Sequence, residues 1–441
     1  MVWHQVPWLW KQRGGVSDRL GWLRFLIVGL LASAHLVTAS DLWAKENWLQ
    51  WRSRDGRNHA PEGTRLPTRW NLQSGQNVVW KTTLPGRGHS TPVFTDQFIF
   101  LTTADVSSQT QSLLRLDRES GRLLENTVLH RGTLPPRIHS QNTHASPSPA
   151  IADDHVFATF HTDDSIVLSK VSFDGAIRWQ RRVAGFEPVR YQFGYGASPI
   201  VEDDSIIVAA EYDGPDSGLY ALETGSGKFL WKRPRPQNLS FSSPVIANLS
   251  GRREVLLPGA SQVASYDPQT GRPYWSVDAG TGAHCGTAVW DDRRVIVSGG
   301  YPDHGTWCVI GEGGEKLLWN TRQYAYEQTP LVVDGTVYIV ADNGIASALR
   351  TIDGKSLWQK RIFAGGVSAS PLLVGQWIVA ANERGRVVVF KASPDRCEIM
   401  AEIDSGDAIF ATPVALEDRL YLRSVTGTGD SAVDHLVAIG N

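Results

Sequence analysis

Two long stretches hold most of the side chains that could do chemistry. They are "NTVLHRGTLPPRIHSQNTHAS" (residues 126–146) and "RRVAGFEPVRYQFGYGAS" (residues 181–198), and they contribute Arg131, Arg137, His139, His144, Arg190, Tyr191 and Tyr195. Guanidinium forks and aromatic faces hold carboxylates and other anions, so the pair is expected to grip an acidic peptide or small anion. The plainer alternative is a solvated loop pair that only covers the elements beneath it. His139 and His144 stand five residues apart with no carboxylate pattern beside them, which does not describe a metal site. "YPDHG" (residues 301–305) holds an Asp-His pair that a turn accounts for equally well. The chain has no GxSxG, no HExxH, no Asp-rich calcium loop and no GxxxxGK[ST] phosphate cradle. Its three cysteines, Cys285, Cys308 and Cys397, form no CxxC and read as core or free thiols. No catalytic residue and no metal ligand is assigned.

A repeat is what must position these loops. A small hydroxyl or other small residue, a proline and an apolar run return at Pro92, Pro147, Pro199, Pro244, Pro330, Pro371 and Pro413, with Ala288 in a degenerate copy "GTAVW". The later copies settle to a period of about 42 residues, which marks a propeller or a solenoid. Each unit breaks into apolar pieces of strand length separated by Asp- or Gly-rich turns, and no sustained helical period appears. A second signature closes most units: a turn glycine with a tryptophan four positions on, as in Gly175–Trp179, Gly227–Trp231, Gly271–Trp275 and Gly354–Trp358. Trp319 follows Gly314 by five, and Glu125 and Met400 replace the tryptophan in two units. Only 28 residues follow Pro413, enough for three strands, while "NVVWKTTL" (residues 77–84) stands alone before the first unit. Placing that segment as the missing outer strand of the last unit leaves no free edge. The fold expected is all-β: a single eight-bladed β-propeller of four-stranded antiparallel blades, closed by an N-terminal strand completing the last blade.

In such a ring the loops from an outer strand to the next inner strand open on one face, around the channel mouth. The positions three and four before each anchor therefore form a rim whose residue types vary from blade to blade, as a binding surface would. The expected binding rim, with the two long loops included, is His89, Arg131, Arg137, His139, His144, Arg190, Tyr191, Tyr195, Phe241, His284, Tyr326, Glu327 and Phe410.

The Ser-Pro starts, the "LYALETGSGKFLW" ending (residues 219–231) and the N-terminal clasp resemble the pyrroloquinoline-quinone (PQQ) repeat β-propellers. That family includes the propeller lipoprotein of the outer-membrane β-barrel assembly machine and the quinoprotein alcohol dehydrogenase-like propellers. The resemblance covers residues 47–441. It implies the fold, and it offers either a protein-binding scaffold or a dehydrogenase. The catalytic members hold their quinone beneath an adjacent Cys-Cys ring and bind calcium beside an Asp. No two cysteines are neighbours here, so none of those residues carries over.

Composition narrows the partners. Lys and Arg number 43 against 45 Asp and Glu, a balance without the basic field that draws nucleic acid or an anionic membrane. Arg24 precedes the apolar run "FLIVGLLASAHLV" (residues 25–37) and the small residues "VTAS" follow, the pattern of a secretory signal cleaved after Ala39. The run falls short of the roughly 20 residues that span a bilayer; a retained anchor is the alternative. The expected organisation is a signal peptide (1–39), an extension packing on the propeller (40–76) and the propeller (77–441). The expected function is a periplasmic or secreted, monomeric, non-catalytic scaffold that binds a protein or peptide partner at its rim, with cell-envelope protein assembly as the process the resemblance implies. It would have no nucleic-acid partner, no membrane span in the mature chain and no cofactor. A quinone-dependent dehydrogenase using PQQ with calcium and a polysaccharide-binding module stand as alternatives.

Overall fold

The computed structural model describes residues 47–440 apart from Arg54, Thr133, Glu312 and Gly313; the expected signal segment lies outside the described residues. Eight four-stranded antiparallel sheets form the blades, numbered here from the first complete one: residues 93–131, 150–185, 200–234, 245–278, 289–321, 331–361, 372–404 and 414–440. Blade 8 supplies only three strands from its own stretch. Its fourth is Val78–Thr83, which pairs antiparallel with Val433–Gly440 from Val78 opposite Ile439 to Thr83 opposite His435. The first and last strands of the ring therefore meet inside one sheet.

The Ser/Thr-Pro repeat has a physical reason. Along most of the ring, the residue before the proline offers its side-chain oxygen to the N–H of the neighbouring blade. The N–H of Thr91 donates to Ser148 Oγ at 2.9 Å, that of Ser148 to Ser198 Oγ at 2.9 Å, and that of Ser198 to Ser243 Oγ at 2.9 Å. On the far side Thr287 donates to Thr329 Oγ1 at 2.8 Å, Thr329 to Ser370 Oγ at 2.9 Å, and Ser370 to Thr412 Oγ1 at 3.2 Å. The proline that follows has no N–H to satisfy in a space where no backbone partner is near. A hydroxyl in every blade, followed by a proline in all but blade 5, thus builds a hydrogen-bonded hoop along most of the channel.

The hoop also corrects one anchor. "SPSP" (residues 146–149) offers two candidates, and Ser148–Pro149 occupies the hoop position immediately before the inner strand Ala150–Ala152, two residues beyond Pro147.

The glycine and tryptophan signatures are two halves of one contact. Trp80 of the clasp strand lies on the turn of blade 1, so close that a Cβ on Gly121 would stand 2.3 Å from its ring; Trp231 meets Gly271 of blade 4 in the same way, at 2.5 Å. Both glycines have positive φ, so turn geometry and ring clearance each demand them. The Trp231 indole also donates to the Pro268 carbonyl at 3.0 Å. Where Glu125 replaces the tryptophan, Gly175 of blade 2 meets only Thr127 and Glu125.

Residues 48–65 cross the far end of the channel and touch the blades almost in turn. Trp48 pairs with Phe94 of blade 1, Leu49 accepts from Ile151 of blade 2, and Gln50 accepts from Val201 of blade 3. Trp51 donates to Thr287 of blade 5 and Arg52 to the Pro330 carbonyl before blade 6. Asn58 reaches the Pro371 and Leu373 backbone of blade 7, and Arg65 the Glu417 carbonyl of blade 8. Trp48 is fully buried in the core cluster that also holds Phe94, Tyr421 and Trp80 of the clasp.

Candidate functional site at the channel mouth

Trp51 lies across the base of the channel and the mouth stays open, leaving a cavity of about 530 Å³. Its lower wall is the hydroxyl hoop. Its upper wall is set by strand alternation: the backbone entering each blade is extended, so side chains two apart share a side. Counting back three from each anchor gives His89, Ser146, Gly196, Phe241, Cys285, Glu327, Ser368 and Phe410, and all eight line the cavity.

The position four before the anchor points the other way. Tyr195 is 5% exposed, with its hydroxyl donating to the Ala209 carbonyl at 2.8 Å inside the core of blades 2–4. His284 is wholly buried, with both ring nitrogens lacking hydrogen-bond partners. Neither belongs to a rim, contrary to the expectation from sequence; the alternation of an extended strand turns them into the blades. Tyr326 and Val367 are the exceptions at this position and do line the cavity. The Pro147 anchor puts His144 on the rim, and the shift of that anchor moves it. It lies outside the channel, in a side cleft with Ile138 and Thr143.

The basic side chains also fall outside. Arg131 ends an outer strand in solvent, Arg137 sits on the outer slope of its loop 3.4 Å from Gln192, and Arg190 is exposed with its backbone N–H held by Asp213. Tyr191 packs edge-on to Tyr301, at 5.6 Å between centroids, beside the mouth. His139 reaches the cavity from the long loop, edge-on to Phe193. The same loop bends over the opening, and Gln141 donates to Glu383 of blade 7 at 3.2 Å.

The wall has an acidic side that the rim pattern missed. Glu327 is joined by Asp342 and Glu383, which come from the turns between second and third strands of blades 6 and 7. Asp342 accepts the Tyr326 N–H at 3.0 Å, and Ser368 donates to Glu383 at 2.8 Å. The enclosing walls push the Glu327 carboxyl above its ordinary range, against the Ser368 hydroxyl and with help from Glu383. The aromatic side is Phe193 stacked on Phe241 at 6.4 Å, with Phe410 stacked on His89 at 4.4 Å. Burial, aided by nearby Arg423, holds His89 neutral with a pKa of about 3. Burial raises the Cys285 thiol, so it is no nucleophile at neutral pH. The repeated turns "ADNG" and "ANERG" (residues 341–344 and 381–385) were the signal available for Asp342 and Glu383.

Eight four-stranded blades, the N-terminal clasp and a channel cup define an eight-bladed propeller of the PQQ-repeat class. Within that class the chain belongs to the family described as outer membrane protein assembly factor BamB, whose profile matches residues 62–185, 111–276 and 259–434. BamB of Yersinia pestis is 21% identical over 330 residues, 71% of this chain and 77% of that protein. BamB of Pseudomonas aeruginosa is 24% identical over 181 residues, covering 39% of this chain and 46% of the relative. Among solved structures, BamB from Moraxella catarrhalis superposes with a TM-score of 0.58 at 15% identity, over 82% of this chain and 99% of that one. A europium-containing methanol dehydrogenase gives 0.63 at 10% identity, over 91% of this chain and all of that one. At these identities the structural likeness is one of fold.

Proposed function

We propose that this protein is a non-catalytic scaffold of the cell envelope, working on the periplasmic side in outer-membrane protein assembly, and that it binds a protein partner with the face around its channel mouth. The observation that carries this reading is the BamB family match, which runs from residue 62 to residue 434 and enters every blade. A rigid ring with varied side chains on one face supports it, because strands fix the loops that make contact. No helix among the described residues is long and apolar enough to cross a membrane.

The likeness to methanol dehydrogenase motivates a second reading, a quinone-dependent enzyme, and the donor set argues against it. PQQ is a tricarboxylate, and this cavity presents Glu327, Asp342 and Glu383 with no Lys or Arg in its lining. Among the described residues no three His, Cys, Asp or Glu side chains converge on a metal position. Cys285 has no adjacent cysteine. The residues present do not fit the group.

Deleting the gene in the native organism tests the scaffold. The expected result is a lowered level of β-barrel proteins in the outer membrane, restored by the wild-type chain. Unchanged barrel levels would overturn the proposal, and PQQ-dependent dye reduction by the purified protein would favour the enzyme in its place.

A further inference from the structure

We propose that the channel cup is a binding site for an organic cation, a primary ammonium or guanidinium group. Three independent features of the cavity point to that chemistry. First, Glu327, Asp342 and Glu383 face the cavity from blades 6 and 7, and none of them is in an ion pair among the described residues. The lining holds no Lys or Arg to offset them. An entering cation would gain charge-assisted hydrogen bonds from carboxylates already partly withdrawn from water. Second, Phe241 and Phe193 stack on each other in the lining contributed by blades 3 and 4, and aromatic faces attract the same kind of group. Third, Thr91 at the base is 1% exposed and lines the cavity, and its hydroxyl oxygen has no hydrogen-bond partner. Its counterparts in the hoop accept hydrogen bonds from a neighbouring blade's N–H, and this one does not.

The polarity is the reverse of what the arginine-rich loops suggest from sequence. Those arginines face outward, so an anion would meet carboxylates inside. The inference deepens the scaffold reading and rests on it in one respect: a lysine or arginine side chain of the protein partner is one source of the cation. A free polyamine is the other. Both share the chemistry, and the probes below separate them.

The experiment is isothermal titration calorimetry of the folded protein at low salt with Gly-Lys-Gly amide, Gly-Arg-Gly amide, agmatine and spermidine. Nε-acetylated Gly-Lys-Gly amide serves as the uncharged control. We expect saturable one-site binding by at least one charged probe, at least tenfold weaker for the acetylated control and for the Glu327→Gln/Glu383→Gln variant. Tighter binding of the peptides assigns the site to a partner's side chain; tighter binding of spermidine or agmatine assigns it to a free amine. The mutated carboxylates stand in the cavity wall rather than the core, so the variant should melt like the wild type, and Phe241→Leu gives a second, charge-neutral test with a several-fold loss. Absence of saturable binding at millimolar probe, or binding indifferent to both variants, would overturn the inference. If amines fail to bind while gene deletion still depletes the outer membrane, the cation site falls and the scaffold stands. If amines bind while deletion leaves barrel levels unchanged, the scaffold falls and the cation site stands.

Discussion

Tyr195 and Gly196, like His284 and Cys285, are separated by one step along an extended backbone, yet one member of each pair is packed inside a blade and the other faces the channel. The consequence for Tyr195 is energetic. Tyr195→Ala would leave a cavity among Phe186, Ala209 and their neighbours and strip the Ala209 carbonyl of its donor. Urea unfolding should show a loss of about 3–5 kcal/mol; a change under about 0.5 kcal/mol, the range of exposed loop sites, would place the ring outside the core. His284 gives a pH prediction. Burial lowers its pKa to about 3, below the value of about 6.5 expected unfolded. The unfolded chain then binds the extra proton first, so stability is full above pH 6.5 and is lost progressively as pH falls toward 3. His284 alone should cost about 2 kcal/mol between pH 7 and pH 5. His59, His130 and His161, each lowered to about 4 by burial, act in the same direction. His284→Leu should flatten the pH dependence of the melting temperature; an unchanged slope would contradict this.

At the scale of the element, the hoop and the tryptophan lock explain why the repeat is written as it is. Ser198→Ala should leave the buried N–H of Ser148 without a partner and cost about 1–3 kcal/mol, whereas Ser198→Thr keeps the oxygen and should cost much less. Equal losses for the two would mean the hoop bonds do not contribute. Trp231→Ala removes a ring wedged on the next blade and its bond to Pro268, for a loss of about 3–5 kcal/mol by thermal or urea melting. Much of this level was legible in the sequence because periodic features repeat in phase: anchors, turn glycines and tryptophans give eight blades even where Glu125 and Ala288 break the pattern. The blade 2 anchor slipped because Ser146-Pro147-Ser148-Pro149 satisfies the motif twice, and only the neighbouring blade's N–H chooses between them. Residues 48–65 carry no repeat at all. Their contacts fall on different blades at irregular intervals, so no spacing rule could place them.

Across the whole molecule, closure has both an apolar and a polar part. Trp80, Phe94 and Tyr421 pack across the junction of blades 8 and 1, with Tyr421 4.5 Å from Phe94. Arg423 and Asp434, buried 3.0 Å apart, extend into blade 1, where Arg423 reaches Ser90 and the Thr102 carbonyl and Asp434 holds Arg87 and the Gly88 N–H. A chain beginning at residue 84 would lose the clasp strand and the base together and expose the edge Val433–Gly440. Size-exclusion chromatography should then show aggregation or strand exchange in place of a discrete species; a stable, discrete, cooperatively melting product would contradict the clasp's role. Closure also fixes which face is available. The base is crossed by residues 48–65, while the opposite mouth carries Phe241, Phe410, Glu327 and the loop that ends at Gln141. The most direct measurement is photocrosslinking in the native envelope from a benzoylphenylalanine at position 241 or 410, compared with one at position 203 in the turn at the other end of blade 3. Defined protein adducts from 241 and 410 and none from 203 are the expected result; adducts from 203 alone, or from none of the three, would contradict recognition at the channel mouth.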